Sequence, residues 1–244
     1  MIHAARARRV AIVCMCCLLV FAGGCATLGG SGDPRDPLEG LNRKVFNFNE
    51  FMDQHLFDPI AQVYNEVMPA LLNRSVSNFF SNIDDIAVIA NDVLQFKPGY
   101  AVSDIARFVF NSTIGIGGLF DVSTRLGLPK RDEDLGQTFA VWGIGPGPYL
   151  VAPFLGPMTL RAAAGYGVQT AFLTPVAYIG NDAYRAGVLS LAYVDFRADN
   201  LSTSKLIGAA ALDKYEFEKN AYLQMRDNLV HDRDSASGPD DQHP

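Results

Sequence analysis

Cysteine is almost missing from the working part of this chain. Of four cysteines in 244 residues, Cys14, Cys16 and Cys17 lie in the uncharged run of a leader, so its removal leaves Cys25 alone. One thiol supports neither an internal disulfide framework nor a cysteine metal site, even in a compartment that permits disulfides. Histidine is equally sparse. Of four, His3 leaves with the leader; His55, His231 and His243 are scattered and lack HExxH-type spacing, and His55 reads as a helix-end residue. There is no GxSxG elbow and no histidine in a motif that suggests a base for a serine. Gly115-Ile116-Gly117-Gly118 and Gly143-Ile144-Gly145 are fragments of glycine patterns without the phosphate-binding sequence that should follow. These absences argue against an enzyme, a cofactor and a bound metal.

The second shortage is charge. Residues 135–181 carry one formal charge, Arg161, and are broken throughout by glycine and proline. A spanning helix needs about 20 consecutive apolar residues with its backbone paired internally. Pro146, Pro148, Pro153, Pro157 and Pro175 interrupt any such helix, as do the glycines between 143 and 167. In lipid, irregular backbone survives only where protein buries it or where it lines a water-containing cavity. The tract therefore suits a broad apolar body with an internal passage, or else the glycine-rich core of an ordinary soluble domain.

What is present first is a leader. Arg6, Arg8 and Arg9 precede an uncharged run over 10–22 that ends in Ala22-Gly23-Gly24-Cys25. A basic region, a short apolar region and small residues before the cut make residues 1–24 a secretory signal peptide. Cys25 after two glycines resembles a bacterial lipobox, which implies acylation of Cys25. By the same resemblance Ala26 implies delivery to the outer membrane. Several acyl chains anchor firmly where one does not. Removing the leader leaves 17 basic against 26 acidic residues, a formal charge of −9. Such acidity argues against nucleic acid and against attraction to anionic lipid. Membrane contact must rest on acyl chains and apolar area.

Residues 25–36 read as the acylated cysteine and a glycine-rich tether, and its residues 26–36 would stretch to about 36 Å at full extension. Residues 231–244 read as a disordered polar tail, which leaves one domain over 37–230. Asp36 can cap a helix with Pro37 at its first position and Glu39 behind. Leu38, Leu41, Val45, Phe48 and Met52 then draw one apolar stripe. Asp58-Pro59 starts a second helix. Apolar spacing marks further helices from Val76 to Leu94 and from Val102 to Phe110. Residues 138–144 and 149–154 read as two β-like arms around Gly145-Pro146-Gly147-Pro148, whose proline then glycine fits a type II turn. Helical pattern resumes near Thr159 and across 183–193, and a last helix over 212–230 is expected to face water. Lys130-Arg131-Asp132-Glu133-Asp134 reads as a solvated loop, with partner docking as the other reading.

At this point the residues resemble a known family. Asp36-Pro37-Leu38-Glu39-Gly40-Leu41-Asn42-Arg43 with Val45-Phe46-Asn47-Phe48-Asn49 is similar to the opening of the VacJ/MlaA lipoproteins. Residues 76–82 (VSNFFSN), 108–121 (FVFNSTIGIGGLFD) and 127–160 (GLPKRDEDLGQTFAVWGIGPGPYLVAPFLGPMTL) follow in the family's order. Leu41 stands where phenylalanine is more usual. The resemblance implies a mainly α protein, with amphipathic helices forming a ring-like, membrane-embedded single domain and a short apolar hairpin-like segment. It implies transport of misplaced phospholipid from the outer leaflet through an amphipathic channel to a soluble periplasmic carrier, with an outer-membrane porin trimer as partner.

A phospholipid path needs apolar walls with a few neutral polar groups. The candidates are Asn47, Phe48 and Asn49 on the first helix and Trp142 further on, with Gly143, Gly145, Gly147 and Tyr149 as a lip. For the asparagines, capping or bridging of helices is the other reading, and for the glycines simple turns. Arg161, the lone charge of the tract, is expected to meet a buried carboxylate or a lipid phosphate. The rival function is a structural lipoprotein that scaffolds porin or envelope complexes without moving lipid.

Overall fold

The structure, a computed structural model, describes residues 32–232. The expected signal peptide, Cys25 and the 233–244 part of the expected tail lie outside the described residues. The chain is mainly helical, as expected. Its elements are α1 (Glu39–Met52), α2 (Asp58–Val67), α3 (Ala70–Leu94), α4 (Pro98–Thr113), α5 (Leu135–Val141), β1 (Tyr149–Ala152), β2 (Gly156–Thr159), α6 (Leu160–Phe172), α7 (Asp182–Ala210) and α8 (Lys214–Val230).

Local chemistry sets most of the boundaries. Pro59 and Pro98 sit in the first turns of α2 and α4, where a missing N–H costs nothing. The side chains of Asp134, Thr159 and Asp213 accept from backbone N–H groups at the starts of α5, α6 and α8. Asp36 is not the cap of α1. Leu38 holds that position without a side-chain bond, while the fully buried Asp36 carboxylate accepts from Asn42 Nδ2 at 2.8 Å and from the Tyr215 hydroxyl. A π-helical turn, Asp53–Phe57, joins α1 to α2 and holds His55, which stacks on Phe51.

The expected arm over 138–144 is a correction. Those residues belong mostly to α5, because Asp134 caps a helix there and Gly136 lets it lie against α6. The hairpin is instead β1 and β2, antiparallel with Tyr149 opposite Thr159 and Ala152 opposite Gly156. Gly147 takes a left-handed φ of +68° after Pro146, but residues 145–148 form the link from α5 to β1, whose Pro146 and Pro148 carbonyls accept from Arg161 N and Leu160 N.

The contacts between elements close on themselves. α1 lies on β1, β2 on α6 and α8, α6 on α5, α5 on α3, α3 on α7, and α7 on α2, which continues α1. α4 packs along α3 outside this circuit. Among the described residues no helix is long and apolar enough to cross a membrane.

Polarity is inverted around this ring. On α4 the buried face is Ala101, Asp104, Arg107 and Asn111, while Val102, Ile105 and Val109 are exposed. The stripe on α1 likewise turns Leu41 and Phe48 outward and buries Glu39 and Asn42. Among the described residues buried polar and charged side chains outnumber buried apolar ones. In water this would waste apolar area. In lipid it is favourable, because polar groups must find partners inside the protein and apolar groups need no burial.

Candidate functional site

The hairpin is held from both edges. On one side β1 pairs with β2; on the other, two asparagines of α1 stand in for a strand. Asn42 Nδ2 donates to the Tyr149 carbonyl at 3.1 Å and its Oδ1 accepts from Val151 N at 3.0 Å. Asn49 Nδ2 donates to the Ala152 carbonyl at 3.0 Å and its Oδ1 accepts from Phe154 N at 2.9 Å. A side-chain amide offers the same donor and acceptor pair as a peptide, so each satisfies two backbone groups that an edge strand leaves open.

Past that clasp, the tip of the hairpin closes over a cleft of about 220 Å³ between α1, the π-helical turn and α7. One wall is aromatic. Phe154 meets Phe48 and Phe57 edge-on at 5.5 and 6.1 Å, and Phe57 meets Tyr193 at 4.8 Å. The Tyr193 hydroxyl donates to the Phe154 carbonyl at 3.2 Å. The other wall is charged. Arg197 reaches Asp53 at 2.9 Å and Asp58 at 3.2 Å, and Lys214 lies between Glu50 and Glu218. Burial pushes the carboxyls of Asp53 and Glu218 up, against the pull of Arg197 and Lys214 respectively. An aromatic wall facing a charged one can seat a molecule that has both an apolar and a polar part.

The expected path residues divide. Phe48 is exposed and meets Phe154 edge-on from outside, without lining the cleft itself. Asn47 is exposed on the same helix. Asn49 borders the cleft but is spent on the hairpin, which is its bridging reading. Gly143 and Gly145 are exposed with open space where a Cβ would stand, and Trp142 beside them donates from its indole to the Leu94 carbonyl at 3.1 Å. Gly147 is exposed but a Cβ there would meet Leu160 at 3.0 Å. Tyr149 is a correction: it is 1% exposed and packs with Val151 and Tyr215, so it belongs to the core and not to a lip. Among the described residues Arg161 makes no ion pair; its Nη1 donates to the Ile144 carbonyl at 2.8 Å, and Asp134 is near enough only to favour its charge.

Sequence reasoning missed the charged wall, since Asp53, Arg197 and Glu218 come from three distant helices. It also misjudged two charged segments. Lys130 bonds Asp85 at 2.6 Å and Asp84 at 3.0 Å, Arg131 bonds Asp104 at 3.0 Å, and Glu133 is buried against Lys97 at 2.8 Å. The segment 130–134 is therefore an ion-paired brace across α3 and α4. Residues 33–36, expected as tether, are docked: Lys219, itself buried, lies 3.4 Å from Asp33 and 3.5 Å from Asp36, and Tyr149 N donates to the Arg35 carbonyl. Among the described residues, no cluster of His, Cys, Asp and Glu could hold a metal ion.

Comparison with known proteins agrees with this geometry. The sequence description of the MlaA lipoprotein family matches residues 34–229. The intermembrane phospholipid transport system lipoprotein MlaA of Shigella flexneri is 33% identical, over 85% of this chain and 83% of its own length. That of Escherichia coli strain K12 is 32% identical over the same shares. An uncharacterised protein of Rickettsia bellii is 32% identical over 85% of this chain and 81% of its own length. A chain solved in work on the structural basis for maintenance of bacterial outer membrane lipid asymmetry superposes with a TM-score of 0.70 at 30% identity. It covers 80% of this chain and 98% of that one.

Proposed function

Because this chain belongs to the MlaA lipoprotein family, we propose that it serves intermembrane phospholipid transport and so maintains the lipid asymmetry of the outer membrane. The protein sits on the periplasmic side of that membrane, anchored through acylated Cys25, with the exposed apolar faces of its ring in lipid. Phospholipid misplaced in the outer leaflet passes along the cleft under the hairpin tip, its chains on the aromatic wall and its head towards the charged one. A soluble periplasmic carrier receives it, and a porin trimer covers part of the apolar rim. No bond is made or broken in this process.

The observation that carries the reading is the inverted polarity, buried Asp104, Arg107 and Asn111 against exposed Val102, Ile105 and Val109 on one helix. A scaffold without a lipid path would not need an amphipathic cleft beneath a hairpin clasped by two asparagines. The test is outer-leaflet phospholipid in intact cells, measured with an amine probe that does not cross the membrane. Deletion of the gene should raise labelling and its return should restore it. Unchanged labelling would favour the scaffold.

A further inference from the structure

A second cavity, of about 640 Å³, opens between the loop that precedes β1 and the side of α8. Four basic side chains reach it, and three are engaged. Arg35 is bound to Asp33 at 3.0 Å, Arg226 grips both oxygens of Asp134, and His231 lies against Asp227 at 3.3 Å. Arg161 is the exception: among the described residues its side chain makes one hydrogen bond, to a carbonyl, and no ion pair. Its Nε is buried without a partner, and so is the Nε of Arg226, a residue only 8% exposed. Arg226 is close enough to oppose the charge on Arg161: burial first and Arg226 second hold Arg161 below the usual arginine range, while Arg226, against its own burial, is kept above it by the Asp134 carboxylate.

Arg226 is buried and Arg161 partly so; both lie near Asp134, Asp227 on the wall is turned to His231, and each guanidinium keeps an Nε without an acceptor, a shortage that an anion would relieve. Arginine suits phosphate because its planar fork can offer two parallel N–H bonds. Apolar side chains of Leu223 and Val230 line the same cavity and leave room for the carbon next to the phosphate. Asp227 on the wall favours a singly charged diester over a dianion. We propose that this cavity is a phosphate site in which Arg161, backed by Arg226, binds the phosphodiester of a phospholipid headgroup. The proposal rests on the phospholipid-transport reading and adds to it a place where the head is held, separate from the cleft.

Direct binding to the full-length acylated protein in uncharged detergent tests this, with dioctanoyl phosphatidylglycerol, dioctanoylglycerol and inorganic phosphate as probes in calorimetry. Arg161→Gln should weaken the phosphatidylglycerol by about tenfold, the scale of one charge-assisted bond, and leave dioctanoylglycerol unchanged. Arg161→Lys should recover part of the loss. Inorganic phosphate should bind the parent protein far more weakly than the lipid does; equal affinity would overturn the headgroup in favour of a soluble phosphate. If both lipids bind and Arg161→Gln changes neither, the phosphate site is wrong and the lipid path stands. If neither lipid binds the parent protein, the transport reading fails with it.

Discussion

Asn42 and Asn49, two helical turns apart on α1, hold the same strand: one grips Tyr149 and Val151, the other Ala152 and Phe154. The buried member, Asn42, also donates to Asp36 and so ties α1 to α8 through Tyr215. The outer member reaches only the hairpin tip above the cleft. The pair thus divides into a structural joint and a hold on the part that shapes the path.

Replacing them should separate those roles. Asn42→Ala strands a buried carbonyl, an N–H and a carboxylate oxygen and should cost roughly 2–3 kcal/mol, read as thermal unfolding in detergent micelles. Asn49→Ala should cost about 1 kcal/mol or less yet alter outer-leaflet labelling, because the tip loses its hold. Equal losses of stability would refute the division.

Asp92 on α3 is buried and has no partner for either oxygen, and neither has Oδ2 of buried Asp104 on α4. Burial and then Asp104 push the Asp92 carboxyl up to about 7, with Glu133 adding to the rise and Arg131 opposing it. A folded-state pKa above the unfolded one means that the native state holds the extra proton, so stability falls as pH rises from about 4 to about 7 and is then level. Asp92→Asn should flatten that slope and stabilise the protein above pH 7 by roughly 1–2 kcal/mol. Melting temperatures from pH 4 to 8 decide it; an unchanged slope would place the titration elsewhere.

Gly165 is where α6 touches α5, and a Cβ there would stand 2.4 Å from Gly136 N and 2.8 Å from the Leu135 carbonyl carbon. Both neighbours are backbone and neither can step aside, so Gly165→Ala should destabilise by about 2–3 kcal/mol. Gly167→Ala, with nothing within 4 Å, is the matched control and should be neutral or slightly stabilising.

Gly145 has open space around it and no left-handed backbone. Gly145→Lys should leave the melting temperature within about a degree while impairing lipid passage, if residues 143–147 shape a lip. Normal outer-leaflet composition in that variant would remove the lip role.

Cys25→Ala should abolish fatty-acid labelling and outer-membrane fractionation together. Persistence of both would refute the lipoprotein assignment.

Much of the ring was legible because helices announce themselves locally. The proline start of α2 and the spacing of apolar residues along α3 and α4 are properties of short windows. What could not be read was which face turns inward. Val102, Ile105 and Val109 mark the stripe on α4 equally well whether it meets a core or a lipid, and spacing carries no sign. The segment 130–134 shows the same limit. Its charges look solvated in sequence, and only Asp85, Asp104 and Lys97, brought by two other helices and the turn between them, make a brace of it. Two site candidates serve architecture in ways the sequence does not show: nothing within a few residues of Asn49 or Tyr149 tells that a strand lies beside one and a second tyrosine beside the other.

The inward turn of polar side chains also fixes how this protein responds to temperature. Heat capacity rises on unfolding chiefly through newly wetted apolar area and falls through newly wetted polar area. Opening an interior built from Asp85, Asn91, Arg107 and Gln137 in a micelle wets little hydrocarbon. The heat-capacity increment per residue should therefore lie well below the usual 12–15 cal/mol/K or so. The stability curve is then shallow, and chilling erodes this fold far less than it erodes a protein held together by an oily centre.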